Sequence, residues 1–292
     1  MDRNIEIRNA FNKSAEDYEQ YAFIQQEIGT RLLSRLDYIK IEPRTILDLG
    51  SGPGLFSEAL KKKYRHAQVV SLDISLSMLQ MTQQRQHWWR KWDCVNANMI
   101  QMPFASGTFD LVFANQTIHW YQPAIQVLQE IHRVMRPKGC FMFTTLGPDT
   151  FSEIASAWAQ VDNYAHINTF IDMHDWGDAL MQVQFLDPVV DQEKLTCHYK
   201  SLSQLLKSLK KQGVRNIHEQ RKEGLTGKKA YENFQQSYAQ FQTPQGKFPL
   251  TYEVVYGHAW RGDVMSRSVG NEVYVDVNSL RGPHHHMKKS EE

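Results

Sequence analysis

One stretch constrains this chain more than any other: Ile46-Leu47-Asp48-Leu49-Gly50-Ser51-Gly52-Pro53-Gly54, followed one βα unit later by Val69-Val70-Ser71-Leu72-Asp73. An apolar strand runs into a glycine-rich turn that opens a helix, and the next apolar strand ends in a carboxylate. Gly50, Gly52 and Gly54 let the backbone turn sharply and approach a ligand with no Cβ in the way, while Asp73 can accept both hydroxyls of a ribose. The pattern reads as a nucleoside-binding site on a parallel sheet. Its spacing narrows the choice. No Lys-Ser/Thr follows the glycines, which excludes a phosphate-cradling P-loop, and the run is not the Gly-x-Gly-x-x-Gly of a dinucleotide turn.

From residue 44 to 145 short apolar strands alternate with amphipathic helices, the pattern of a parallel sheet covered on both faces. The periodicity predicts strands near 45–49, 68–72, 92–96, 109–114 and 139–145. Helices are predicted over 54–64, over 75–87 and over 122–134, before Arg136-Pro137-Lys138-Gly139. Ligands of such sheets sit at the carboxyl ends of the strands. Those ends hold Gly50 to Gly54, Asp73, Asn98-Met99 and Asn115 to Trp120. Before the first strand, Phe11 to Tyr21 reads as a helix capped by Ser14 that could fold over the site. After Gly147 come helical patterns around 150–160, 169–183 and 201–211, then strands at 187–196 and 249–260 that would complete the sheet. The expected division is an N-terminal lid and cofactor core over 1–146, a helical lid or substrate segment with the end of the sheet over 147–261, and a mobile tail over 262–292 carrying His284, His285 and His286.

At 41% hydrophobic and 22% charged residues the chain has ordinary globular composition, which excludes a disordered class. Cys94, Cys140 and Cys197 are widely spaced and odd in number, so neither a disulfide framework nor a zinc site is expected, and a reducing cytoplasm is the default. The N-terminus lacks an apolar export segment and no apolar run reaches membrane-spanning length, so neither export nor insertion is expected. His166, Asp172, His174 and Asp175 have no standard metal-site spacing, and helix capping accounts for the acids. No metal is expected.

The glycine turn with Asp73 resembles the S-adenosylmethionine site of class I methyltransferases, which implies a doubly wound, Rossmann-like α/β sheet, mostly parallel with an antiparallel strand near the C-terminus. Met102-Pro103-Phe104, Phe109-Asp110-Leu111-Val112 and Arg136-Pro137-Lys138-Gly139 are shared by many small-molecule methyltransferases. Narrower features are Phe11 with Tyr18, Gly147-Pro148-Asp149-Thr150, Asp172-Met173-His174-Asp175, Gly224-Leu225-Thr226-Gly227 and the Tyr252 to Trp260 strand. Through these, residues 8 to 261 resemble the malonyl-acyl-carrier-protein O-methyltransferases of biotin synthesis. One departure is visible: Asn98 stands where that family often has Asp, and its carbonyl can still accept from an adenine amino group.

The resemblance implies transfer of the S-adenosyl-L-methionine methyl to the free carboxyl of malonyl-acyl carrier protein, leaving S-adenosyl-L-homocysteine. Implied cofactor contacts are Phe11, Tyr18, Gln25, Gly50, Ser51, Gly52, Gly54, Asp73, Ile74, Met78, Asn98, Met99 and Asn115. Tyr18 and His119 are implied at the reacting centre as positioning groups, with Trp120 in the substrate wall. An arginine is expected opposite the malonyl carboxylate, since a guanidinium orients two oxygens at once; Arg215 and Arg221 are the candidates. Residues 200–229 carry nine basic residues against Glu219 and Glu223, whereas the whole chain has a net charge of only +1. That cluster fits an acidic acyl carrier protein better than nucleic acid, for which no appended binding motif is present. Two alternatives share the core: an S-adenosylmethionine-binding assembly factor of the respiratory-complex type acting on protein, and another small-molecule carboxyl methyltransferase.

Overall fold

The computed structural model describes residues 3–222, 224–262, 268–269 and 272–273. A seven-stranded sheet runs in the order β3-β2-β1-β4-β5-β7-β6, from β1 (Thr45–Leu49), β2 (Gln68–Asp73), β3 (Asp93–Asn96), β4 (Phe109–Asn115), β5 (Met135–Leu146), β6 (Phe185–Tyr199) and β7 (Phe248–Arg261). β1 to β5 pair in parallel, and β7 inserts antiparallel between β5 and β6. Parallel strands are buried on both faces, which is why β1 and β2 are largely apolar, interrupted by the buried Asp48 and Ser71. The chain winds outward from β1 to β3, then returns to lay β4 on the other side of β1. That reversal opens a crevice at the carboxyl ends of β1 and β4.

The helices are α1 (Arg3–Tyr21), α2 (Phe23–Arg35), α3 (Leu55–Lys63), α4 (Leu76–Arg85), α5 (Ala124–Val134), α6 (Ser152–Ala159), α7 (Met173–Gln182), α8 (Leu202–Lys211) and α9 (Lys228–Tyr238). Two apolar cores form, one on each face of the sheet. Ile28 and Leu32 of α2 join Phe113 on one face; Leu128 and Ile131 of α5 join Val112 on the other. Each such side chain, fully buried, contributes roughly 1.5–3 kcal/mol. Asp110 fastens the amino end of the sheet: one carboxylate oxygen accepts from the Arg44 and Thr45 amides at 2.9 and 2.8 Å, and Arg136 donates to it at 3.0 Å. The Phe109-Asp110 and Arg136-Pro137 motifs are therefore structural, remote from the crevice.

Three local expectations are corrected. Ser14 is no N-cap: α1 begins at Arg3 because Ile7 and Ala10 are buried upstream, and Ser14 is a buried mid-helix residue donating to the Phe11 carbonyl at 3.3 Å. α2 was not anticipated, although Ile24, Ile28 and Leu32 repeat at four-residue spacing; Gln25-Gln26-Glu27 interrupt the run. α9 was missed because its buried face is Phe234 and Tyr238 rather than aliphatic. Of the expected mobile tail, Gly262 and the short antiparallel pair β8 (Ser268–Val269) and β9 (Glu272–Val273) are described, and the rest, with His284 to His286, lies outside the described residues. Among the described residues no helix is long and apolar enough to cross a membrane.

Candidate active site

The crevice holds a cavity of about 540 Å³. Register sets its floor: Leu49 pairs with Leu72 and Asp48 with Phe113, so Gly50, Asp73 and Asn115 emerge side by side at the strand ends. Gly50 has φ +67°, and a Cβ there would lie 2.1 Å from the Thr117 hydroxyl. Only glycine turns the chain here. Asp73 is buried; one carboxylate oxygen accepts from the Gly52 amide at 2.9 Å and the other from the Ser75 amide at 2.8 Å. These bonds aim the carboxylate and leave lone pairs toward the cavity that Asp73 lines. Burial pushes Asp73 up to about 6, against its backbone hydrogen bonds, so its acceptor strength falls below that pH. α1 roofs the cavity with Phe11 and Tyr18, seven residues apart and so on one helix face, and Phe11 meets Trp120 edge-on at 5.3 Å. Burial, then the Asp73 charge, raise the Tyr18 phenol above its ordinary range, so it remains a hydrogen-bond donor.

A second cavity of about 450 Å³ lies on the other side of Phe11, Tyr18, Gln116 and Trp120, which wall both spaces. Its polar lining is neutral: Gln25, Gln116, His119, Asn168, Gln212 and Tyr252. Burial holds His119 down at about 3, so the imidazole is uncharged, and its Nδ1 is buried without a hydrogen-bond partner, as is the Tyr252 hydroxyl. Gln25 donates to Gln212 at 3.0 Å, and Gln212 donates to Ser208 at 2.9 Å. α8 and the loop behind it are fastened down on α1. Lys211 pairs with Asp17, and Arg221 makes a two-pronged bridge to Glu6 at 2.9 Å on each arm. That bridge holds the Glu6 carboxyl below its usual range. A third space of about 450 Å³ continues the first past Gly50, Ser51, Gly52, Gln25 and Asp48. Asp48 is buried, accepts from Ser57 at 2.5 Å, and is pushed up to about 7 by burial.

A methyltransferase-domain family model matches residues 47–143. The malonyl-[acyl-carrier protein] O-methyltransferase of Legionella pneumophila is 54% identical over 96% of this chain and 99% of its own length. The chain belongs to that family. Proteins of the same name from Gallionella capsiferriformans and Coxiella burnetii are 42% and 36% identical, over 87% and 96% of this chain and 90% and 96% of their own. Among solved structures, the YcgJ protein of Bacillus subtilis superposes with a TM-score of 0.58 at 13% identity, covering 80% of this chain and 100% of that one, a likeness of fold.

The cofactor of this malonyl-[acyl-carrier protein] O-methyltransferase family member is S-adenosyl-L-methionine, and the cavities fit it. Asp73, Ile74, Met78 and Met99 would hold the nucleoside, while Gly50, Ser51 and Gln25 surround the space left for the amino-acid end. There the Ser51 hydroxyl and the Gln25 carbonyl are buried without partners, as befits polar atoms facing a ligand site. Gly52 and Asn115 border both spaces. Two expected cofactor contacts sit elsewhere. Gly54 caps α3, where a Cβ would strike the Thr82 side chain at 2.6 Å, so it serves close helix packing. Asn98 turns its carbonyl to the Ile100 amide at 3.1 Å, and its neighbours Ala97 and Met99 line the cavity.

The expected arginines are not brought to the second cavity. Arg215 is exposed, Arg221 is bridged to Glu6, and no arginine or lysine lines that space among the described residues. The sequence reading also missed Asn168, Gln212 and Tyr252. Gln116 and Thr117 stood within the strand-end stretch and carried a positional signal. Gln212 and Asn168 had none, since only the closure of α8 and its loop brings them in. Among the described residues, no metal-binding cluster forms: Asp172 caps α7 through the His174 amide, and His166 bonds Asp162 at 2.7 Å.

Proposed function

We propose that this chain transfers a methyl group from S-adenosyl-L-methionine to the free carboxyl of a malonyl thioester on an acidic acyl carrier protein, in the cytoplasm, as a step toward biotin. The observation that carries this reading is the shared wall of Phe11, Tyr18, Gln116 and Trp120 between a nucleoside-type cavity and a second cavity lined by neutral donors. End-to-end identity with malonyl-[acyl-carrier protein] O-methyltransferases supports the choice of acceptor.

A carboxylate with an ordinary pKa near ~4 is ionised at neutral pH and needs no general base. What the protein must do is strip it of water, aim one oxygen and exclude competitors. S-adenosyl-L-methionine supplies, when bound, an electrophilic methyl on a positively charged sulfur. The reacting carboxylate loses its charge as the ester forms. A guanidinium against it would stabilise the charged reactant more than the transition state and raise the barrier. Neutral donors orient the anion without that cost. His119, Gln212 and Tyr252 are suited to this, and Tyr18, on the shared wall, is suited to hold the oxygen that attacks. Arg221 instead keeps α1 closed over both cavities.

The test is direct. Purified protein with malonyl-acyl carrier protein and S-adenosyl-L-methionine should give a carrier heavier by one methylene, sensitive to mild ester hydrolysis, while acetyl-acyl carrier protein gives none. Methylation of a protein side chain with no malonyl ester formed would favour the assembly-factor reading and reject this one.

A further inference from the structure

A fourth depression has no place in the chemistry above. It is a groove of about 980 Å³ between α6 and the 162–170 stretch, lined among others by Trp158, Ala159, Tyr164, His166 and His218. The part of it open to a water-sized sphere is about 490 Å³, within the size range of ligand sites, roughly 300–1,000 Å³. Asn168 and Phe170 line both this groove and the acceptor cavity, so only these two residues stand between the two spaces. The junction is held rigidly. Asn168 donates to the Arg215 carbonyl at 2.9 Å and accepts from the Ile217 amide at 2.8 Å, while Asn216 donates to the Ala165 carbonyl at 2.6 Å. One wall is a flat stack: the Trp158 ring lies 3.9 Å from His166 and 4.4 Å from Phe234, nearly parallel to both.

We infer that this groove is the entry path of the carrier's prosthetic arm, a flexible two-amide chain ending in a phosphodiester on an acidic protein. The inference rests on the proposed function, which requires a tethered thioester to reach a cavity that α1 and α8 close from the cofactor side. A long uncharged chain suits that aromatic wall. The charge of the surroundings fits an anionic far end. Lys222 sits 5.8 Å over the Tyr164 ring beside the groove, and the exposed Lys207 and Lys210 belong to the same basic stretch. Asp162 is the acid at this rim, and it is engaged by His166 and the Tyr164 amide. With the arm in the groove, the malonyl group passes Asn168 and Phe170, and its carboxyl reaches the neutral donors beyond.

Ala159 and Thr169 line the groove and are exposed, so Ala159→Trp and Thr169→Trp add bulk to it without entering a core. Each variant is compared with wild type on malonyl-acyl carrier protein, on malonyl-pantetheine, which keeps the arm without the carrier, and on a short malonyl thioester of N-acetylcysteamine. KM should rise tenfold or more for the first two and stay within twofold for the third, with cofactor affinity and melting temperature unchanged. By titration, wild-type protein should bind holo carrier more tightly than carrier lacking the arm, and the variants should lose that difference. An increase for all three substrates, for the carrier alone, or for none would overturn the groove as the arm's path. Wild-type protein inert toward every malonyl thioester would instead reject the proposed function, and the occupant named here would fall with it.

Discussion

The two halves of the site are held by different things. The cofactor half is made of strand ends: Gly50, Asp73 and Asn115 are placed by the register of a buried parallel sheet, and Asp73 is aimed by two backbone amides. The second cavity is lined by side chains from α1, α2, β7, the 116–120 turn, the 162–170 loop and the residues just after α8, and its cover is tied by Lys211–Asp17, Arg221–Glu6 and Gln25–Gln212. A ladder at the centre of a core opens only with global unfolding, whereas half-exposed ion pairs give way locally. The first half is therefore preformed, and the second depends on contacts that can be released to admit substrate.

The contrast is most exposed to failure at Asp73. Asp73→Ala removes charge-assisted acceptors from a prebuilt site and should weaken cofactor binding by on the order of 3 kcal/mol, a hundredfold or more, with the fold intact. Calorimetric titration finding wild-type affinity would take Asp73 out of the site. Asp48 tests the same half through stability. Its carboxyl titrates near 7 when folded and near the ordinary carboxylate value when unfolded, so the folded state keeps a proton the unfolded state gives up. Stability from this group is complete below the unfolded pKa and is lost as pH rises toward 7. Asp48→Asn, which can still accept from Ser57, should raise the melting point of the ligand-free protein at pH 8 by several degrees, and hardly change it at pH 4. An equal shift at both pH values would show that the gain has another source.

Predictions on the acceptor half are smaller. Tyr18→Phe keeps the ring that roofs the cofactor and loses the donor, so single-turnover transfer should slow about tenfold while cofactor affinity changes little. A wild-type rate in that variant would assign the role to the ring alone. Smallest is the surface: Lys207→Glu with Lys210→Glu should raise KM for the carrier-bound substrate about threefold at low salt, less at high salt, and leave a short malonyl thioester unaffected. Equal damage to both substrates would return these lysines to an ordinary solvated face.

Legibility in the sequence followed the same division. The strands at 45–49, 68–72 and 109–114, the turn and Asp73 were readable because contiguous residues make them, and a strand end fixes where its next residue points. Asn98 was read one step off, since a side chain that closes a turn on the Ile100 amide faces along the loop rather than into the cavity. The arginine expectation failed for a different reason. A basic residue near a carboxylate substrate is sound chemistry, but Glu6 lies 215 positions from Arg221 and claims it. No local pattern records that pairing.

By itself, then, the sequence determined the parallel sheet, its ligand edge and the nucleoside chemistry there, because short apolar runs and glycine turns are properties of neighbouring residues. Only the tertiary structure decided which polar side chains line the second cavity. Gln25 on α2, His119 after β4, Gln212 just past α8 and Tyr252 on β7 are far apart in the chain, and they converge only because α2 and the end of α8 pack over the strand ends.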